Sequence, residues 1–187
     1  MRILGVDPGF ANLGFCVIEL SGYRKELLLT KLVVTEKSKK KAGKLRDEER
    51  RLVDIEQILI EILDSYRPAI LVIEEPGKCL MRRGKAWVTN GATLRTSCLA
   101  WGAIHGICRS RKMHCVSVGS QKIKLALCGS KSASKFEVQA AVKAKFPKYA
   151  GWPSSKKIEH VADAVGAAIT GLQDQSVVEL LDSRSHD

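Results

Sequence analysis

Between residues 76 and 136 the chain has no Asp or Glu, against 12 Lys and Arg. Elsewhere the signs balance: residues 1–75 carry 13 basic and 13 acidic side chains, and residues 137–187 carry 6 and 7. The formal net charge of +11 therefore arises in one stretch of 61 residues. A merely solubilising surface mixes both signs. A long segment without carboxylates points instead to a polyanionic partner.

Other absences decide which polyanion to expect. No run of about 18 apolar residues occurs, so no membrane-spanning helix is expected. The chain enters an apolar run, Ile3-Leu4-Gly5-Val6, with only Arg2 between it and Met1, so no secretory signal is expected. No CaaX-type end is present. Aromatic residues make up only 5% of the chain, and no basic amphipathic helix with exposed aromatics is evident. Nucleic acid is thus preferred over a membrane. The six cysteines (Cys16, Cys79, Cys98, Cys108, Cys115 and Cys128) form no CxxC pair. The spacing of His105, Cys108, His114 and Cys115 fits no zinc pattern. Nothing indicates export, so reduced thiols in a cytoplasmic protein are expected.

The 187 residues suit one domain with a proper core. Residues 1–172 are expected to form it, leaving 173–187 as a short, acidic and peripheral C-terminal tail. Residues 2–7 and 13–20 are apolar runs split by Asp7-Pro8-Gly9, a turn signal. With a third strand over 26–35 they predict an antiparallel meander. A polar, Lys-rich loop follows over 36–44. Leu45, Leu52, Ile55, Leu59, Ile62 and Tyr66 recur at helical spacing, and Pro68 ends that helix. Residues 69–74 are continuously apolar up to Glu74, as in a strand buried on both faces. A helix over 91–112, a strand over 114–118 and helices over 120–127, 133–146 and 156–172 complete the order. The class is α/β, a five-stranded mixed sheet, antiparallel meander plus parallel strands, flanked by helices.

Three acids need explaining. Asp7 ends the first strand and Glu74 the fourth, each followed within two residues by Pro-Gly. A charge at the end of a buried strand is costly unless it is paired or bound to a metal. On the last helix, Ile158, Val161, Ala162, Val165, Ile169 and Leu172 share one arc at about 100° per residue. Asp163 faces away from that arc, with His160 on its side. Its own face carries Gly166, Ala167 and Thr170, small residues that suit close approach to another element. Three acids from separate elements, with no Lys or Arg in their motifs, fit a divalent-metal site better than a salt-bridge network.

At these residues the chain resembles the RuvC-type Holliday junction resolvases of the RNase H-like superfamily. The segments ILGVDPGFANLGFCVIE, AILVIEEP, IKLALCGSKSASKFEVQAAV and IEHVADAVGAAIT match four family elements in order, across about residues 1–172. The resemblance implies an RNase H-like fold and a structure-selective endonuclease that cuts four-way DNA junctions as a homodimer, with Mg²⁺ as cofactor. It implies metal-binding and catalytic roles for Asp7, Glu74 and Asp163. His160 falls where the family has a second acid on the last helix, an Asp in many members and a His in some. Lys124 and Lys135 match lysines near the scissile phosphate and the DNA backbone, with Lys124 catalytic.

Hydrolysis of a phosphodiester needs an in-line water and a stabilised leaving oxygen, which two Mg²⁺ about 3.5–4 Å apart supply. Asp7 is expected to bridge them. A neutral His160 is either a softer ligand that favours tolerance of Mn²⁺ or a base for the water. Lys78, Arg82, Arg83 and Lys85 follow Glu74 directly and, with Lys124 and Lys135, are expected to contact DNA. One departure stands out. Three residues after the catalytic Glu, bacterial members carry an aromatic that stacks at the junction centre, and here Gly77 stands there. Trp87 is the candidate substitute, beside the plain reading of a core tryptophan. Glu75 is sent to the other face by strand alternation. The alternatives are an RNase H-like nuclease acting on RNA–DNA hybrid or structured RNA, and a catalytically weak junction binder. VDPGFANLGF also resembles the phosphate-binding hairpin of actin-like ATPases, but that fold needs two such domains.

Overall fold

The first three strands form because their apolar residues run almost unbroken to a tight turn. β1 (Arg2–Asp7), β2 (Asn12–Ser21) and β3 (Arg24–Val34) pair antiparallel, with Asp7 opposite Gly14. The computed structural model describes the whole chain except residues 23, 39–42, 78–79, 84–85, 155–156 and 184–187. α1 (Lys44–Tyr66) then crosses one face and ends on Arg67, in the left-handed conformation, directly before Pro68. β4 (Ile70–Glu74) joins β1 in parallel, and β7 (His114–Val118) joins β4 in parallel. The five-stranded sheet has the order β3-β2-β1-β4-β7, the mixed sheet expected from the sequence.

Both faces of this sheet are covered, which is why its central strands are apolar at every position rather than at alternate ones. On one face α1 and α2 (Gly91–Ser110) pack Ile55, Leu59 and Ile104 against Leu4, Val6 and Ile73. On the other, α3 (Ser120–Cys128), α4 (Lys135–Lys145) and α5 (Ile158–Gly171) cover Ile3, Val72 and Val116.

Three features depart from the sequence reading. Residues 80–89 contain a small hairpin, β5 (Leu80–Arg83) and β6 (Ala86–Thr89), separate from the main sheet. Its strands are four residues each, too short for alternation to be legible. The stretch read as a peripheral tail carries α6 (Gln175–Ser183), whose Val177 is fully buried with Leu180 and Leu181 packed around it. Leu45, placed on the apolar arc of α1, is 75% exposed. It lies in the first turn, and the burial of α1 begins only after it, with Glu48 and Arg51.

The helix α5 is the most deeply set element, buried from Ala164 to Gly171. It lies so close to β1 and β2 that a Cβ on Gly5 would come within 2.3 Å of the Ala164 carbonyl oxygen, and one on Gly14 within 2.0 Å of the His160 carbonyl oxygen. On its other side Gly166 abuts Ile123 and Leu127 of α3. This is the two-sided burial that the small residues beside Asp163 foretell. Neither carbonyl can yield without moving the helix, so Gly14→Ala should cost about 2 kcal/mol of stability through overpacking. Urea unfolding should show a lower midpoint at unchanged slope.

Candidate active site

β1 and β4 are parallel neighbours with Val6 beside Ile73, so Asp7 and Glu74 leave the sheet side by side at the carboxyl ends of their strands. That edge is where open α/β sheets place their ligands. Counting back by twos, Asp7 follows Gly5 and Ile3, and Glu74 follows Val72 and Ile70, all on the face that α5 covers. The second turn of α5 delivers Asp163 to the same place. One oxygen from each of Asp7, Glu74 and Asp163 lies within 4.8 Å of the others, and all three side chains are partly buried. Among the described residues no other group of three or more His, Cys, Asp or Glu is so arranged.

The crowding has an electrostatic signature. Burial, and then the negative charges of Asp7 and Asp163, push the Glu74 carboxyl up to about 9. Burial and the charge of Asp7 raise Asp163 to about 6. Lys124 and Lys135 oppose both trends without cancelling them: the charges of both act on Glu74, and that of Lys135 on Asp163. Lys124 is half-buried on α3, and Lys135 opens α4, 2.9 Å from Glu159.

His160 enters through Asp7. Its Nδ1 lies 2.7 Å from Asp7 Oδ2. A carboxylate oxygen accepts, so Nδ1 is the donor of this bond and Nε2 is left unengaged by Asp7. Burial pulls the imidazole pKa down. The bond to Asp7 and the charges of Asp7, Glu159 and Asp163 more than reverse that, so the net shift is upward. His160 is thus gathered at the site without belonging to the three-carboxylate cluster itself. Glu75 lies outside it, exposed and turned toward Gly119. Lys78 and Lys85 lie outside the described residues, and of Arg82, Arg83 and Trp87 only the backbone is described.

The sequence reading missed how the turn after Asp7 is held. Arg51, only 5% exposed, lays its guanidinium over the Phe10 ring at 4.5 Å. Its Nε donates to Thr35 Oγ1 at 2.9 Å, and Thr35 Oγ1 donates to the Phe10 carbonyl at 2.6 Å. The turn is thereby fastened to both α1 and β3. The available signal was a charge on an apolar arc, since Arg51, Ile55, Leu59 and Ile62 fall on one side of α1. Beside His160 this turn and the starts of α1 and α2 enclose a cleft of about 600 Å³.

Three carboxylates from separate elements, short of positive charge, suit a hard divalent cation. The chain also matches the family model described as crossover junction endodeoxyribonuclease RuvC over residues 3–171.

The chain belongs to the RuvC family.

RuvC of Prochlorococcus marinus (strain AS9601) is 32% identical over 174 residues, 93% of this chain and 98% of that one. Thermus thermophilus RuvC superposes with a TM-score of 0.66 at 25% identity, covering 91% of this chain and 92% of that one. The Thermus RuvC solved in complex with Holliday junction substrate gives a TM-score of 0.72 at 23% identity over 96% of each chain, a likeness of fold. The RNase H-like architecture expected from the sequence is the one this chain adopts.

The raised pKa values set a pH dependence for the metal-free chain. A carboxyl raised on folding stabilises the native state while protonated, and that contribution fades as pH climbs from its unfolded to its folded pKa. For Glu74 the window is 4.5 to about 9, and for Asp163 it is 3.8 to about 6. His160, also raised, acts in the same direction. In a chelator the thermal midpoint should therefore fall between pH 5 and pH 9. Glu74→Gln should flatten the fall, and a divalent cation should reverse it in the unsubstituted chain alone. Scanning calorimetry reads all three.

Proposed function

We propose that this chain is a structure-selective endonuclease that resolves Holliday junctions and related branched DNA in recombination and repair, by metal-dependent phosphodiester hydrolysis. The observation that carries this reading is the convergence of Asp7, Glu74 and Asp163 within 4.8 Å in a chain of the RuvC family. The cofactor is Mg²⁺, with Mn²⁺ also supporting activity, and Asp7, Glu74 and Asp163 would hold it. Bound there, the cations supply an activated water and stabilise the leaving oxygen.

The remaining work falls to the chain's own groups. Glu74 and Asp163 must give up protons before they can ligate, so ligation strengthens as pH rises. His160 uses Nε2 as a ligand or as acceptor of the water's proton, and both uses need that nitrogen unprotonated. Lys124 and Lys135, whose charges already reach the carboxylates, offset negative charge that builds on the phosphate. Lys78, Arg82, Arg83 and Lys85 meet DNA phosphates near the cut. Paired nicks call for two sites related by a two-fold axis, which a homodimer supplies.

The setting is intracellular. Among the described residues no helix is long and apolar enough to cross a membrane. The described cysteines are all unpaired thiols, the state a reducing cytoplasm maintains.

Asp7→Asn should abolish nicking of a four-way junction in Mg²⁺ and in Mn²⁺ while changing junction affinity little, read by gel assay and by anisotropy. Side by side, the unsubstituted protein should cut the junction faster than an RNA–DNA hybrid or a structured RNA. Neutralising Arg82 and Arg83 should make log K against log salt shallower by about 2, whereas neutralising two lysines of residues 37–41 should leave the slope alone.

A further inference from the structure

A second concave surface lies at the far end of the sheet. A groove of about 660 Å³ runs between the start of β3 and the chain leaving α4. Arg24, Lys25, Lys145 and Lys148 line it, with Glu26 as the one acid and Tyr149 as the aromatic. All four cations are exposed. Among the described residues none of the four is in an ion pair, whereas Arg2, Arg50, Arg95 and Arg111 each hold a carboxylate. The segment totals conceal this patch, because its cations come from two stretches whose overall charge is close to balanced.

α4 joins the groove to the active site. Lys135, at its first position, acts electrostatically on Glu74 and Asp163, and its last turn carries Lys143 and Lys145. Eleven helical residues at about 1.5 Å each span about 16 Å. The sheet gives a similar length: on β2, Gly14 faces Asp7 and Leu20 faces Lys25, six residues apart, or about 20 Å. Phosphates on one DNA strand are about 3.4 Å apart along the axis, so the groove lies about six base pairs from the cut. Tyr149 is already engaged within the chain. Its hydroxyl donates to Thr30 and its ring meets Trp152 edge-on. The chemistry left in the groove is cationic, the kind that tracks a phosphate backbone without reading bases.

We propose that this groove holds the phosphate backbone of a duplex arm about six base pairs from the scissile phosphate, on a track that leaves Lys124 and Lys135 and follows α4. The proposal rests on branched DNA being the substrate.

The test compares two four-way junctions, one with arms of about 20 base pairs and one with arms of about four closed by a phosphate-free linker, too short to bring a phosphate to the groove. Binding is measured by anisotropy in an Asp7→Asn background, with and without K145Q/K148Q. Both lysines are exposed, and an unchanged unfolding midpoint checks the fold. The double substitution should weaken binding of the long-armed junction about tenfold and make its salt slope shallower by about 2. It should change affinity for the short-armed junction less than about twofold, because no phosphate there reaches the groove. Equal losses on both junctions, or no loss on either, overturn the proposal; the second result would leave the groove to an acidic protein partner. A protein with the natural Asp7 and lysines that binds and cuts junctions no better than linear duplex overturns the underlying reading instead. That comparison is made before any lysine is changed, so the two failures are distinguishable.

Discussion

Three carboxylates do not stay within 4.8 Å of one another unless something holds them against their own repulsion. Here the restraint is mechanical. β1 and β4 are fixed side by side by their parallel ladder, so Asp7 and Glu74 cannot separate. α5 is wedged against β1 and β2, with glycine on the sheet side, and cannot withdraw Asp163. Arg51 and Thr35 secure the turn that follows Asp7. The two nearby lysines soften the repulsion, yet Glu74 still stands at about 9. The protein therefore carries an electrostatic deficit in its framework, and a divalent cation is the natural counter-charge.

Much of this was legible in the sequence because the cost of the site leaves marks on it. A buried strand that ends in an acid, twice, is hard to explain by packing alone. Small residues beside Asp163 announce a helix with no room on either side, and Gly14 and Gly166 sit at those contacts. What stayed hidden lacks such a mark or contradicts the local pattern. The four-residue strands of β5 and β6 have no period to read. α6 follows α5 after a short turn, in a stretch whose acidic residues suggest solvent even though Val177 reaches the core. Arg51 shares an arc with Ile55 and Leu59, and a helical wheel assigns such a residue to the rim, not to a buried hydrogen-bond network.

The two signs of charge are set in different surroundings. The three clustered acids stand at strand ends and on one helix, where backbone hydrogen bonding fixes them. The cations of the far groove are exposed, at the start of β3 and around the end of α4, where long side chains can follow a flexible polyanion. Some paired cations serve the framework: Arg95 closes on both carboxylate oxygens of Glu48, linking α2 to α1. A carboxylate in the unpaired regions would repel DNA, whereas the acids of the pocket are masked whenever a cation is bound. The acid-free stretch noted at the outset is the sequence trace of that division.

The placement of α5 also bears on when the protein becomes competent. Asp7 and Asp163 stand 156 positions apart in the sequence. The pocket is thus closed by one of the longest-range contacts in the chain, the kind that forms late in folding. A nascent or truncated chain has two acids at an open sheet edge and no enclosure around them. Assembly of the acidic centre is therefore tied to the docking of α5: until that helix packs on β1 and β2, Asp163 cannot join Asp7 and Glu74.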